Sequence, residues 1–188
     1  GNPLASGSTT AVMYGGVDTI PPIIYLPRNA TYVNSNFDVR YFFPERAGNG
    51  TAKIIIARTG GAEDLVANRT LVLPFNYLSP GYHIFSMKQI QTLHAEGVQV
   101  FPVVNLVHEV VYDVSIEYQD GSFNPAKSDT TTDINFDIIT KPGTLTLPAS
   151  NTRVKIGFAV QFTLPEKALA GSVQLEFTPF SGTNDPAG

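Results

Sequence analysis

Apolar and polar positions alternate with a period of two along much of the chain. Phe37, Val39, Tyr41 and Phe43 alternate with Asp38, Arg40 and Phe42, and Ala52, Ile54 and Ile56 alternate with Lys53 and Ile55. Successive side chains of a strand point to opposite faces, so this spacing predicts strands with one face on a core. Between the two runs, Pro44-Glu45-Arg46-Ala47-Gly48-Asn49-Gly50 supplies turn chemistry. Further strands are predicted at 22–26, 69–73, 81–86, 98–104, 110–118 and 131–139. One short helix is predicted at 88–94, with Gly97 just beyond it. Short strands separated by Gly, Pro and Asn turns predict an all-β chain whose strands form a two-sheet sandwich.

The chain also repeats itself. Shifted by 121 positions, residues 21–61 lie over 142–182 without a gap. Identities fall at Pro21/Pro142, Leu26/Leu147, Pro27/Pro148, Thr31/Thr152, Phe37/Phe158, Val39/Val160, Pro44/Pro165, Glu45/Glu166, Ala47/Ala168, Gly50/Gly171 and Gly61/Gly182. Chance matching at ordinary residue frequencies gives about three such pairs. Tyr41/Phe162, Phe43/Leu164, Thr51/Ser172 and Ile54/Leu175 are conservative pairs in the same register. Thr9-Thr10 lies over Thr130-Thr131, and Thr19 over Thr140. The expected organisation is the end of one repeat (1–19), a complete repeat (20–140) and the first part of another (141–188), a window on a tandem array.

Near the end of the complete repeat, Leu106 precedes Tyr112 by six residues, and Tyr112, Val114, Ile116 and Tyr118 then alternate down a strand. This spacing fits either a tyrosine corner, in which the hydroxyl ties back to an upstream backbone group, or an ordinary core tyrosine. The string Tyr112-Asp113-Val114-Ser115-Ile116-Glu117-Tyr118-Gln119-Asp120, followed by Asn124-Pro125-Ala126, resembles the penultimate strand and loop of immunoglobulin-like and fibronectin-III-like repeats. Residues 162–175 resemble the second-to-third strand hairpin of the same modules. The resemblance implies immunoglobulin-like β-sandwiches in a large extracellular protein of a bacterium or alga, acting as stalk, sheath, adhesin or filament. It names no ligand.

Composition narrows the choice of chemistry. Hydrophobic residues make up 43% of the 188 residues, enough to bury a core, while charged residues make up only 15%. The net charge of -4 and twelve scattered Lys and Arg argue against nucleic acid as a partner. No apolar run is long enough to span a bilayer, and no basic-then-apolar leader opens the chain, as expected of a mature protein, an internal fragment or a cytosolic protein. The absence of Cys removes disulfides, thiolate catalysis and Cys-ligated zinc. His83, His94 and His108 share no ligand spacing, and His108-Glu109 lies on a connector. Neither catalysis nor a cofactor is expected. Asp129, Asp133 and Asp137 have a four-residue rhythm that places them on one face of a strand, as solvated side chains rather than a Ca²⁺ site. Lys53 falls on the outward phase, against a Lys–Asn crosslink.

Three Asn-x-Thr sequons, at Asn29, Asn49 and Asn68, fall in predicted turns or strand entries and are candidate glycosylation sites, with Asn49 foremost at a hairpin tip. On the outward phase the first repeat has Phe42 and Ile55 where the second has Thr163 and Glu176, which marks Phe42 and Ile55 as a candidate interface. The expected role is a rigid spacer and lateral-packing unit at the cell surface, with other copies or adjacent repeats as partners. The first 19 residues are a candidate donor strand. The alternative is an adhesin whose sandwich-end loops bind carbohydrate or a host protein, with Tyr77, Tyr82 and Phe123 as members of its site.

Overall fold

The computed structural model describes residues 20–122, 124–166, 168 and 170–178. The donor-strand segment 1–19 and Phe123 therefore lie outside the described residues. Two compact units divide between Ile138 and Ile139.

In the first unit the strands are β1 (Ile23–Leu26), β2 (Tyr32–Val33), β3 (Asp38–Phe43), β4 (Lys53–Gly61), β5 (Asn68–Val72), β6 (Gly81–Ser86), β7 (Gln99–Phe101), β8 (Val110–Tyr118) and β9 (Lys127–Phe136). Its other described elements are a 3-10 turn at Phe75–Tyr77 and a short helix α1 (Ile90–Ala95). One sheet has the order β1-β3-β6 and the other β2-β9-β8-β4-β5-β7. Neighbours pair antiparallel except β2 with β9, which run parallel.

Alternation sets the core. Buried positions on β3 are Val39, Tyr41 and Phe43, on β4 Ile54 and Ile56, and on β8 every second residue from Val110 to Tyr118. These side chains join Ile24, Leu71, Phe85, Ile134 and Phe136 in one hydrophobic cluster drawn from both sheets. Burying a side chain of this size contributes about 1.5–3 kcal/mol each, before the cost of ordering the chain. The cluster, rather than intrinsic strand preference, therefore fixes which residues face inward.

Several sequence expectations need correction. The strand expected at 131–139 begins at Lys127 and ends at Phe136, and the one expected at 98–104 is only three residues long. The segment 44–52 is not a hairpin, because β3 and β4 belong to different sheets. It is a connection between sheets, held by Ala47 N–H to Leu78 O (2.9 Å) and Gly48 N–H to Gln119 O (2.8 Å). Asp129, Asp133 and Asp137 do not share a face. A bulge between the Tyr112/Ile134 and Val114/Thr131 pairs, with Asp133 at φ 59°, breaks the parity of β9.

In the second unit β10 (Thr144–Leu147) pairs antiparallel with β11 (Gln161–Thr163). Its register is Thr144 with Thr163, Leu145 with Phe162 and Leu147 with Gln161. In the first unit Ile23 pairs with Phe42, Ile24 with Tyr41 and Leu26 with Arg40. Each pair is displaced by 121 residues, and the irregularity falls at the same step. Ala30 and Asn151 have φ of 54° and 61°, and Gly50 and Gly171 have 76° and 80°, at the same displacement. Leu145, Leu147, Phe162, Leu164, Leu175 and Phe177 are exposed. The corresponding residues of the first unit, Ile24, Leu26, Tyr41, Phe43, Ile54 and Ile56, are buried or half-buried.

Candidate functional site

The three histidines belong to separate environments. The His83 ring stacks on Tyr41 (centroids 5.2 Å apart), and its Nε2–H donates to Ser79 O at 2.7 Å, since a carbonyl can only accept. His94 is exposed in the last turn of α1. His108 Nδ1 lies 3.3 Å from both Ile138 N and Asp137 Oδ1. Asp129 Oδ2 accepts the Ile24 N–H at 2.7 Å, tying β1 to β9. Lys53 pairs across strands with Glu117 (3.5 Å). Among the described residues no group of His, Asp and Glu is placed to hold a metal ion, and no helix is long and apolar enough to cross a membrane.

The most tightly built polar cluster is a buried clamp. Arg69 shares the inward parity of Leu71 and Leu73, and its side chain is fully buried. It meets Asp64 through two bonds of 2.8 and 3.0 Å and donates to the carbonyls of Val104 (2.7 Å), Asn105 (2.9 Å) and Val66 (3.3 Å). The Tyr112 hydroxyl donates to Asp64 Oδ2 at 2.6 Å and accepts the Val107 N–H at 2.9 Å. Tyr112 thus bonds to backbone five residues upstream and also completes the carboxylate's shell. Burial, then the bond to Asp64, pushes the Tyr112 hydroxyl up to about 12, so it stays protonated and able to donate. The clamp joins the β4–β5 connection to the segment before β8. An arginine on the buried phase of β5 was the available sequence signal, because a buried guanidinium requires a carboxylate; the partner, lying in a loop, had none.

A second cluster holds the start of the first unit. The Tyr118 hydroxyl lies 3.0 Å from both Ile20 O and Glu45 Oε1. In the second unit Glu166, displaced by 121 from Glu45, accepts the N–H of Lys141, displaced by 121 from Ile20, at 2.7 Å. The glutamate after the second strand position therefore contacts the entering backbone in one unit, and the tyrosine bridges glutamate and backbone in the other.

The candidate recognition surface is the outer face of β1-β3-β6. Ile23, Tyr25, Tyr82 and Ile84 are exposed there, Tyr82 at 74% and Ile84 at 53%, with half-buried Phe42 between them. Tyr82 packs on Tyr25 (ring centroids 5.5 Å apart) and on Phe42 (5.0 Å). Phe42 and Ile55 do not share a surface. Phe42 pairs with Ile23 and Tyr82 on the three-stranded sheet, whereas Ile55 lies opposite Thr70 and Ser115 on the six-stranded one. Nor does Tyr77 join Tyr82. It packs on Phe85 and His83, which occupy the other face of β6. The signal missed in the sequence was the alternation of Tyr82 and Ile84 with His83 and Phe85, which becomes informative once β6 is known to be an edge.

Asn29, Asn49 and Asn68 are all exposed. Asn29 Oδ1 accepts the Thr132 N–H (2.9 Å), Asn49 lies on the connection between sheets, and Asn68 opens β5. The Thr51 hydroxyl of the second sequon lies 2.8 Å from Gly48 O and 2.9 Å from Gln119 O, either of which can accept its single proton.

No family model matches the chain, and neither a curated protein nor a solved structure matches it.

Proposed function

We propose that the chain is a window on a tandem array of immunoglobulin-like β-sandwich modules of about 121 residues. In this reading it serves as a non-catalytic structural spacer and packing unit in an extracellular surface array. One observation carries it. The strand register, its irregularity and the left-handed backbone positions of residues 23–50 recur 121 residues later. Independent strands have no reason to share all three, whereas copies of one module do.

Strand order supports the immunoglobulin-like part. Taking β1, β3, β4, β6, β8 and β9 as strands A, B, C, E, F and G, the sheets contain ABE and GFC, with Tyr112 near the start of F. The chain departs from that pattern where β7 returns to pair with β5. The first module runs from about 20 to 140, residues 141–188 begin the next, and 1–19 end the one before. The exposed sequons at Asn29, Asn49 and Asn68 suit a glycan coat on an extracellular module.

A spacer must resist extension. Pulling a polypeptide of several copies of residues 20–140 in series should give a ladder of equal unfolding steps, each releasing roughly 400 Å of chain. Featureless extension at low force would sink the mechanical reading.

The adhesin reading has one observation in its favour, the aromatic pair Tyr25 and Tyr82 on an open sheet face. Saturable binding to a glycan array, abolished by Tyr25→Ala, would favour it.

A further inference from the structure

We propose that β6 is a docking edge for a second copy of this chain, the two β6 strands pairing antiparallel about a two-fold axis at Ile84. This names the partner and surface of the packing unit described above and rests on that reading for its biological purpose, but not for the pairing itself.

Among the described residues the strand is unpartnered on one side. β6 ends the order β1-β3-β6. Met87 N–H donates to Phe37 O at 2.7 Å, one step beyond the Asp38/Ser86 pair. That bond fixes the phase. Residues 81, 83 and 85 direct their peptide groups to β3, leaving the N–H and C=O of Tyr82, Ile84 and Ser86 on the open side. Sheet edges of this kind are ordinarily blunted by Lys, Pro, bulges or inward charges. Gly81-Tyr82-His83-Ile84-Phe85-Ser86 has none of these.

The same three residues make the edge self-complementary. A two-fold axis at Ile84 sets Ile84 against its counterpart and Tyr82 against Ser86, so the open peptide groups of one copy meet those of the other. The apolar strip of Tyr82, Ile84, Phe42, Tyr25 and Ile23 then continues across the junction on one face. That strip is not a requirement of the fold. The same β1–β3 register in the second unit carries Thr144, Thr146, Gln161 and Thr163 at the positions of Ile23, Tyr25, Arg40 and Phe42.

Charge does not oppose a second copy at this edge. The chain carries a net charge of -4, which opposes self-association over most of its surface. β6 has no Asp, Glu, Lys or Arg, and the charges nearest on β3, Asp38 and Arg40, pair with each other at 3.1 Å. The buried area fixes the strength. A stable dimer of free chains buries roughly 1,200–2,000 Å² in total. Two short edges cover less, so one pair is weak and serial copies add strength by avidity.

The chain has no Cys, which permits a clean reporter. Directly opposed, hydrogen-bonded residues in an antiparallel pair have Cα atoms about 5.5 Å apart, within the roughly 4.4–6.8 Å that a disulfide spans. Ile84→Cys should therefore cross-link under mild oxidation at least about tenfold faster than Tyr32→Cys, although Tyr32, on the other sheet, is the more exposed position (76% against 53%). Non-specific sticking elsewhere would cross-link both alike. In the unmodified chain the amides of Tyr82 and Ile84 should gain exchange protection between about 10 µM and 1 mM, and Ile84→Lys should remove that gain.

Equal cross-linking of the two cysteine variants, with no concentration-dependent protection, overturns the proposal and leaves the strip to a carbohydrate or another polypeptide. Selective cross-linking without an unfolding ladder would keep the pairing and discard the array. A ladder without selective cross-linking would do the reverse.

Discussion

Asp64→Ala should destabilise the first unit by about 3–5 kcal/mol, the usual cost of leaving one partner of a buried ion pair uncompensated. Arg69 would keep its carbonyl contacts to Val66, Val104 and Asn105 but lose both carboxylate bonds. Tyr112 would lose the acceptor of its hydroxyl proton. The melting temperature should fall by roughly 10–20 °C for a unit of this size. Asp64→Leu combined with Arg69→Met should recover most of the loss, because it removes the stranded charge as well as the pair. A midpoint for Asp64→Ala equal to that of the parent chain would contradict the clamp. The same groups set the pH profile. Burial alone raises the Asp64 carboxyl, but bonds from Arg69, Tyr112 and the Val66 N–H, with the guanidinium charge, outweigh it and hold it below its ordinary value. A carboxyl depressed by folding stabilises fully above its unfolded pKa, about 3.9. That stabilisation is lost as pH falls through the lower folded value. Stability should therefore drop below about pH 4, and less steeply in the Leu/Met double variant.

Gly61→Ala should cost about 3 kcal/mol or more, combining an unfavourable positive φ with backbone overlap. Gly61 has φ 74°, and a Cβ built there would sit 2.2 Å from Glu109 O and 2.9 Å from Val111 N. Neither neighbour is the end of a flexible side chain. Relief would need the end of β4 to part from β8, where Gly61 pairs with Val110. By contrast Gly50→Ala meets no atom within 4 Å and pays only for its φ of 76°, about 1 kcal/mol. Denaturant titration of the two variants separates crowding from backbone preference. Equal losses would mean that the neighbourhood of Gly61 relaxes freely.

The sequence already located most strands, because burial on one face imposes a period of two that survives without knowing the partner strand. Val39, Tyr41 and Phe43 and the alternation of 110–118 could be read directly. Sheet membership could not, since β3 and β4 look alike in pattern yet lie in different sheets. For that reason Phe42 and Ile55 could be assigned an outward phase but not a common surface. The bulge at Asp133 was hidden as well: one residue at positive φ reverses the parity of the residues after it, and the aspartate rhythm carried no mark of it. Tyr112 could be singled out from its spacing, whereas its bond to Asp64 joins residues 48 apart in sequence and depends on how two loops meet. The β6 edge was legible only as an alternation; its openness is a property of topology.

The tandem-module claim meets its most direct test in an exchange of equivalent segments. Residues 141–182 joined to 62–140 would place Leu145, Phe162, Leu164, Leu175 and Phe177 where Ile24, Tyr41, Phe43, Ile54 and Ile56 close the core. Glu166 would take the place of Glu45 beside the Tyr118 hydroxyl. If the two segments are copies of one module, the hybrid should unfold in a single cooperative denaturant transition. Its slope should be close to that of residues 20–140, since slope scales with the surface exposed on unfolding. A hybrid without a cooperative transition, alongside a residue 20–140 polypeptide that has one, would contradict the shared module.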